Sequence, residues 1–300
     1  MLSYTVTNSK YSNIKEIAKD YFQISDRFLA KLKKNNRVIL NGNSEYINHK
    51  VSLGDTISFD IDFDEESENI VPIESKLEII FEDSYLLIVN KPSGIPVHPS
   101  MSHYEDSLSN RVKYYFNSTN LKRKIRPVNR LDKDTSGIVI FAKNEYVQEI
   151  LIKEMKSNVF TKEYMAILTG NLDSTSGKIS APISRKEGSI IEREVNINGS
   201  ESITYYEVVK NFKVQIKYSD LFEELCVVKF KLETGRTHQI RVHSKHIGHP
   251  ILGDTLYGNG SKLISRQALH AYKISFIHPI KKDFMSFEID LPTDIKQVLY

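Results

Sequence analysis

Seven short runs rich in β-branched and aromatic residues are strung along the chain from Leu77 to Pro292: LEIIFED, YLLIVNK, GIVIFAK, EYMAILTG, ITYYEVVKNF, LCVVKFKLET and SFEIDLP. Such residues suit a pleated, half-buried surface, so this stretch must build a sheet. Helical periodicity is clear in NEYVQEILIKEM, where Val147, Ile150, Leu151 and Met155 share one face behind a capping Asn144. An α+β domain with a mixed sheet follows. The longest apolar runs, YLLIVN from Tyr85 and GIVIFA from Gly137, fall far short of the roughly 20 residues that cross a bilayer, and the start MLSYTVTNSK is too polar for a signal peptide. A single cysteine, Cys226, rules out an intrachain disulfide and a cysteine-built zinc cage. Membrane and secreted classes drop out, and a reducing cytoplasm is expected.

Upstream, NIKEIAKDYF and SDRFLAKLKKNN carry apolar residues at helical spacing, with Ser25 as a cap for the second. RVILNGN then alternates into a turn at Asn41 and Gly42, and KVSLGDTISFDID alternates again around Gly54 and Asp55. The acidic run DFDEESENIVPIESK from Asp62 reads as a linker. This divides the chain into a small αα-β domain over 1–66, a linker over 67–76 and a large domain over 77–300. The stretch from Ile24 on resembles the small RNA-binding module named after the fourth small-subunit ribosomal protein, through Leu29, Leu32, Val38, Asn41, Gly42, Gly54 and Asp55. Its first helix departs from the usual Arg-Leu-Asp start. The resemblance implies phosphate contacts from Arg27, Lys31, Lys34 and Arg37.

Net charge is only +3, yet the charges are segregated. Eight Lys or Arg stand between Arg111 and Lys133 against the single acid Asp132, whereas 62–83 holds nine acids against Lys76 alone. Cations interleaved with Tyr114, Tyr115 and Phe116 are what a polyanion with unstacked bases would need, and Lys122, Arg123, Lys124 and Arg126 are the expected RNA contacts. A solvated loop has the same composition.

The stretch RPVNRLDKDTSGIVIFAKN from Arg126 packs acids and bases most densely. Thr135, Ser136 and Gly137 read as a tight turn served by Asp134. Asp132, a lone carboxylate among Arg130 and Lys133, is expected to stay ionised and to be available as a base or nucleophile; a salt-bridged structural aspartate has the same signature. NRLDKDTSG resembles the signature loop of the RluA family of RNA pseudouridine synthases, written His-Arg-Leu-Asp, two variable residues, then Thr-Ser-Gly. Asn129 replaces the first histidine, which leaves open what supports the loop. VNKPSGIPVHP from Val89, KEYMAILTG from Lys162 and LETGRTHQIRVHSKHIGHPILGDTLYG from Leu232 follow the same family in order, then ALHAY and the pair His278 and Pro279.

The resemblance implies a largely antiparallel catalytic sheet and an isomerase that detaches uracil from its ribose, turns it and rejoins it through carbon, with no cofactor. Asp132 matches the catalytic aspartate, acting on the sugar as nucleophile or base. Tyr164 matches the tyrosine against the uracil, and Arg241 the cation paired with the aspartate, in preference to Arg236, which is assigned to substrate phosphate or loop packing. Arg130 matches the arginine that helps evert the target base. A helix from a Thr237 cap to Gly248 would put His238 and Arg241 on one face toward Asp132. Asn129, His238, Ile240 and Lys91 complete the expected substrate set, with Pro92 and Gly94 making a rigid turn beside Lys91.

His238, His243, His246 and His249 have spacings that suggest zinc, but the family carries these histidines without metal, so none is expected. Two rivals stand against the isomerase: an inert RNA-binding or ribosome-associated protein of the same fold, and a nucleoside hydrolase using Asp132. RNA is the expected partner, large-subunit ribosomal RNA before transfer RNA. A monomer is expected, for want of an exposed apolar strip.

Overall fold

The computed structural model describes residues 1–65, 70–101, 103–157, 159–215 and 222–299. The small N-terminal part pairs β1 (Leu2–Thr5), β4 (Thr56–Phe59), β2 (Val38–Leu40) and β3 (Asn43–Ser44) in that order. A short helical segment opens as α1 (Ile14–Glu16) and loosens into a wider turn over Ile17–Tyr21, and α2 (Asp26–Lys34) follows. Ser25 caps α2 by accepting the Phe28 N–H, as its sequence predicts.

The large sheet runs β5 (Glu78–Glu82), β6 (Leu86–Lys91), β7 (Ser136–Ala142), β14 (Leu269–Ile277), β8 (Thr161–Thr169), β13 (Phe222–Leu232), β12 (Ile203–Gln215) and β9 (Ser176–Ser180), with β15 (Phe284–Glu288) paired to β14. A separate ribbon joins β10 (Ile183–Arg185) to β11 (Arg193–Val195). Among the described residues β7 against β14 is the parallel pair and the other pairings are antiparallel, the mixed sheet expected. The helices α3 (Leu108–Ser118), α4 (Glu145–Glu154), α5 (Gln239–His246) and α6 (Thr293–Leu299) pack around it. No helix among the described residues is long and apolar enough to cross a membrane.

One apolar core joins the small part to the sheet. Phe22, Phe28, Leu29 and Phe59 pack in the same cluster as Ile88, Ile140, Tyr146 and Val147, and the Tyr146 hydroxyl donates to the Phe22 carbonyl at 3.0 Å. A second core on the other face holds Phe116, Tyr164, Phe230 and Ile240. The boundary expected at 66/67 lies outside the described residues. The later part of the expected linker is anchored rather than free: Asn110 of α3 donates from Nδ2 to the Val71 carbonyl at 2.8 Å and accepts the Ile73 N–H on its own carbonyl at 3.2 Å.

Three expectations need correction. Phe116 is fully buried and Tyr115 donates to Glu82, so these rings of α3 serve the core and a local bond rather than stacking bases. Gly137 lies inside β7, not in a turn: at φ +126° a Cβ there would sit 2.3 Å from the Ala271 carbonyl oxygen, so glycine is what lets β7 approach β14. Thr237 does not cap α5; His238 occupies the N-cap position in the left-handed region at φ 57° without a side-chain capping bond, while the Gln239 side chain accepts the Arg236 N–H at 2.9 Å.

Candidate active site

The loop between Asn129 and β7 crosses the floor of an open cleft lined by Arg130, Asp132, Tyr164, Leu232, Arg236, His238, Ile240, Arg241 and Leu269, among others. The expected catalytic set Asp132, Tyr164 and Arg241 therefore converges, from a loop, β8 and α5 respectively.

The loop is fastened on every side. Asn129, expected at the substrate, is instead buried off the cleft lining: it donates from Nδ2 to the Ile138 carbonyl and accepts the Ile140 N–H on Oδ1, both at 2.9 Å, and so supports the loop where the signature has histidine. Thr135 N–H closes a turn onto the Asp132 carbonyl at 3.1 Å. Lys91, expected at the substrate, is instead fully buried, and its Nζ donates to the carbonyls of Pro92, Ile95 and Lys133 at 2.8–2.9 Å. Burial pushes its pKa down to about 7 against the opposing charges of Asp134 and Asp132, yet three carbonyl acceptors call for the three donors that the ammonium form alone supplies. Lys91 positions the loop and does not touch the cleft. From the opposite side Arg266, in a bidentate pair with Asp294 of α6, donates to the Asp134 carbonyl at 3.1 Å, and Gln267 bonds Thr135 Oγ1 at 3.2 Å.

Arg241 meets two carboxylates unequally. Its Nε and Nη2 fork onto Asp254 at 2.7 and 2.8 Å, both groups buried, and Nη1 reaches Asp132 Oδ2 at 3.3 Å. The bidentate pair expected with Asp132 is thus with Asp254, which also accepts the Leu256 and Tyr257 N–H groups. Asp254 locks the guanidinium in place, leaving Nη1 to reach Asp132, whose side chain remains 25% exposed to the cleft. Arg236 lines the rim and donates to the Glu201 carbonyl at 3.0 Å. His238 Nε2 stands 3.8 Å from Asp132 Oδ1. Tyr164 is buried, and burial together with the Asp132 charge raises its pKa, so the phenol keeps its proton. Ile240 is buried with its side at the cleft.

The cations expected to meet RNA divide in two. Arg126 forks onto Glu65 at 2.6 and 2.8 Å, Arg123 binds Asp62, Asp64 and the Phe63 carbonyl, and Arg37 pairs with Asp60. Lys31 joins Glu65 and Glu145, and Arg27 pairs with Glu145 at 2.8 Å. Burial opposes ionisation of Glu65, but hydrogen bonds from Arg126 and Lys31 outweigh it and hold the carboxyl below its ordinary value. Arg123, Arg126 and Lys31 thus bind the acidic run, because an acidic segment within reach neutralises a basic one at lower desolvation cost than leaving either charge buried alone; Arg37 meets Asp60, and Arg27 keeps an exposed side chain beside α4. Lys34, Lys122 and Lys124 remain exposed, with Lys122 at 4.0 Å from Asp64.

The four clustered histidines do not converge. His243 engages Thr204 and the Ala181 carbonyl, and His249 the Thr169 carbonyl. Among the described residues no group of three or more His, Cys, Asp or Glu is placed to hold a metal. Sequence reasoning assigned no role to Asp254, Arg266, Gln267 or Tyr257; the signal for Asp254 is an acid in a Gly-Asp-Thr turn shortly after Arg241.

Residues 85–246 match the family model described as RNA pseudouridylate synthase. The chain is 38% identical over 267 residues to the RNA pseudouridine synthase YhcT of Bacillus subtilis, covering 89% of this chain and 83% of that one. It is 32% identical over 280 residues to ribosomal large subunit pseudouridine synthase D of Yersinia pestis, covering 88% and 82%. Among solved structures, human RNA pseudouridylate synthase domain containing 1 matches with a TM-score of 0.58 at 25% identity, over 73% of this chain and 86% of that one.

Proposed function

We propose that this chain, which belongs to the RluA family of RNA pseudouridine synthases, isomerises a uridine everted from RNA by acting on its ribose with Asp132. Membership makes it an RNA-modifying isomerase, as the four sequence motifs imply. The observation that carries the finer reading is the asymmetry at Arg241: Asp254 fixes the guanidinium, and Asp132, held through one oxygen, presents the rest of its carboxylate to the cleft.

Asp132 attacks the anomeric carbon or removes the ribose 2′ proton; either step breaks the bond to uracil while the cleft retains the leaving base for rejoining at carbon. Tyr164, protonated, lies against one face of the base, with Ile240 and Leu269 among the apolar walls. Arg130 and Arg236, exposed at the rim, meet the flanking phosphates and help hold the base out of its stack. Eversion is required because neither the sugar carbons nor the base edge can be reached in a helix.

The small part over 1–66, continued through the linker at 67–76 into the catalytic part over 77–300, acts as an RNA-binding arm. Its exposed Lys34, with Lys122 and Lys124 of the large part, supplies phosphate contacts. The names of relatives such as the Yersinia pestis enzyme favour large-subunit ribosomal RNA as the substrate; that the enzyme is a cytoplasmic monomer is part of the same proposal.

RNA carrying tritium at uracil carbon five tests the reading. The wild-type protein should release tritium, and Asp132→Asn should still bind RNA but release it at least about 10³-fold more slowly. Free uracil would identify a hydrolase, and binding without release by the wild type would identify an inert RNA-binding protein.

A further inference from the structure

Tyr257 joins the active site through its hydroxyl. That oxygen accepts the Arg193 backbone N–H of β11 at 2.8 Å and lies 2.9 Å from His238 Nδ1. Tyr257 is 4% exposed, and Nδ1 is the protein acceptor within reach of its hydroxyl proton. A neutral imidazole has one N–H, so an accepting Nδ1 leaves the proton on Nε2. Nε2 is the atom that faces Asp132 Oδ1 at 3.8 Å, while Arg241 approaches the other oxygen.

We propose that Tyr257 and the Arg193 amide lock His238 as its Nε2–H tautomer, so that His238 is a second donor at Asp132, orienting the Oδ1 oxygen toward the ribose. This rests on the reading of Asp132 as the reacting group. Burial lowers the His238 pKa and so favours the neutral ring, with the Asp132 and Asp254 charges opposing and the Arg241 and Arg193 charges assisting. A neutral donor orients a carboxylate without adding a second cation beside Arg241, which would blunt its reactivity. The left-handed backbone of His238 is a strained conformation for a residue with a Cβ, and it is what aims the ring back over the loop from the first turn of α5. At 3.8 Å the contact is longer than a hydrogen bond, and contacts of this kind close when substrate fills the site.

The tautomer is read directly by nitrogen NMR on protein labelled at its histidine ring nitrogens, without RNA and near neutral pH. The spin system that vanishes in His238→Gln should show an unprotonated Nδ1 and a protonated Nε2. Tyr257→Phe should scramble that preference and lower kcat about tenfold at unchanged KM. A proton on Nδ1, an imidazolium, or wild-type kcat in Tyr257→Phe would overturn the proposal, and the wild-type spectrum decides the matter even if that variant folds poorly. Because the spectrum involves no reaction, its failure removes the tautomer lock alone, whereas full tritium release by Asp132→Asn removes the reading of Asp132.

Discussion

The seam between the small part and the sheet and the cleft at Asp132 both hold arginine–carboxylate contacts, and they differ in what is left over. At the seam Arg126 and Glu65 have side chains 9% and 5% exposed, and every oxygen of the carboxylate is engaged. In the cleft Arg241 is equally buried, yet Asp132 is 25% exposed and receives one long bond, because Asp254 takes the fork. Closed pairs hold elements together; the open one leaves a carboxylate oxygen facing the cleft, which is what the proposed reaction at Asp132 requires. The same residue types therefore end in a closed or an open arrangement according to how many acids lie within reach of one guanidinium.

Substitutions at the two places should separate these roles. Arg241→Gln leaves Asp254 charged and unpaired in the interior, so it should cost about 3–5 kcal/mol in denaturant unfolding and abolish tritium release as well. An intact fold with an inactive site would show that Asp254 tolerates the loss and that the cleft alone depends on Arg241. Gly137→Ala, which forces a Cβ against the Ala271 backbone beside the catalytic loop, should cost about 2 kcal/mol and lower kcat with it.

Glu65→Gln should cost about 2 kcal/mol while leaving kcat/KM per folded molecule unchanged, the reverse of what Asp132→Asn does. Its pH dependence sharpens the contrast. The Glu65 carboxyl is held below its ordinary 4.5, so the stability it contributes is present above that value and is lost as pH falls through the lower folded value; the gap between wild type and Glu65→Gln should shrink on acidification. Smallest of all, Lys122→Gln with Lys124→Gln should leave stability alone and reduce the salt dependence of RNA binding by about two in logarithmic slope.

Local signals carried most of the fold. Ser25 and Asn144 cap their helices because a cap is settled within four residues, and the GIVIFA run is a central strand because nothing else accommodates it. What could not be read was anything set by distant partners. Arg123 and Arg126 look like polyanion contacts until Asp62 and Glu65 arrive from some sixty residues away. Lys91 and Arg266 reach the loop from β6 and from beside α6, and a sequence gives no sign that their targets are backbone carbonyls. That Asp132, Tyr164 and Arg241 come together at one cleft was legible through the family motifs rather than through spacing, since they lie on three separate elements.

The most direct test is a crystal structure with RNA bearing 5-fluorouridine at the target, where fluorine cannot leave as the carbon-five proton must. The account predicts an everted base between Tyr164 and Ile240 with its ribose against Asp132 Oδ1. A base bound elsewhere, or a sugar turned away from Asp132, would contradict it.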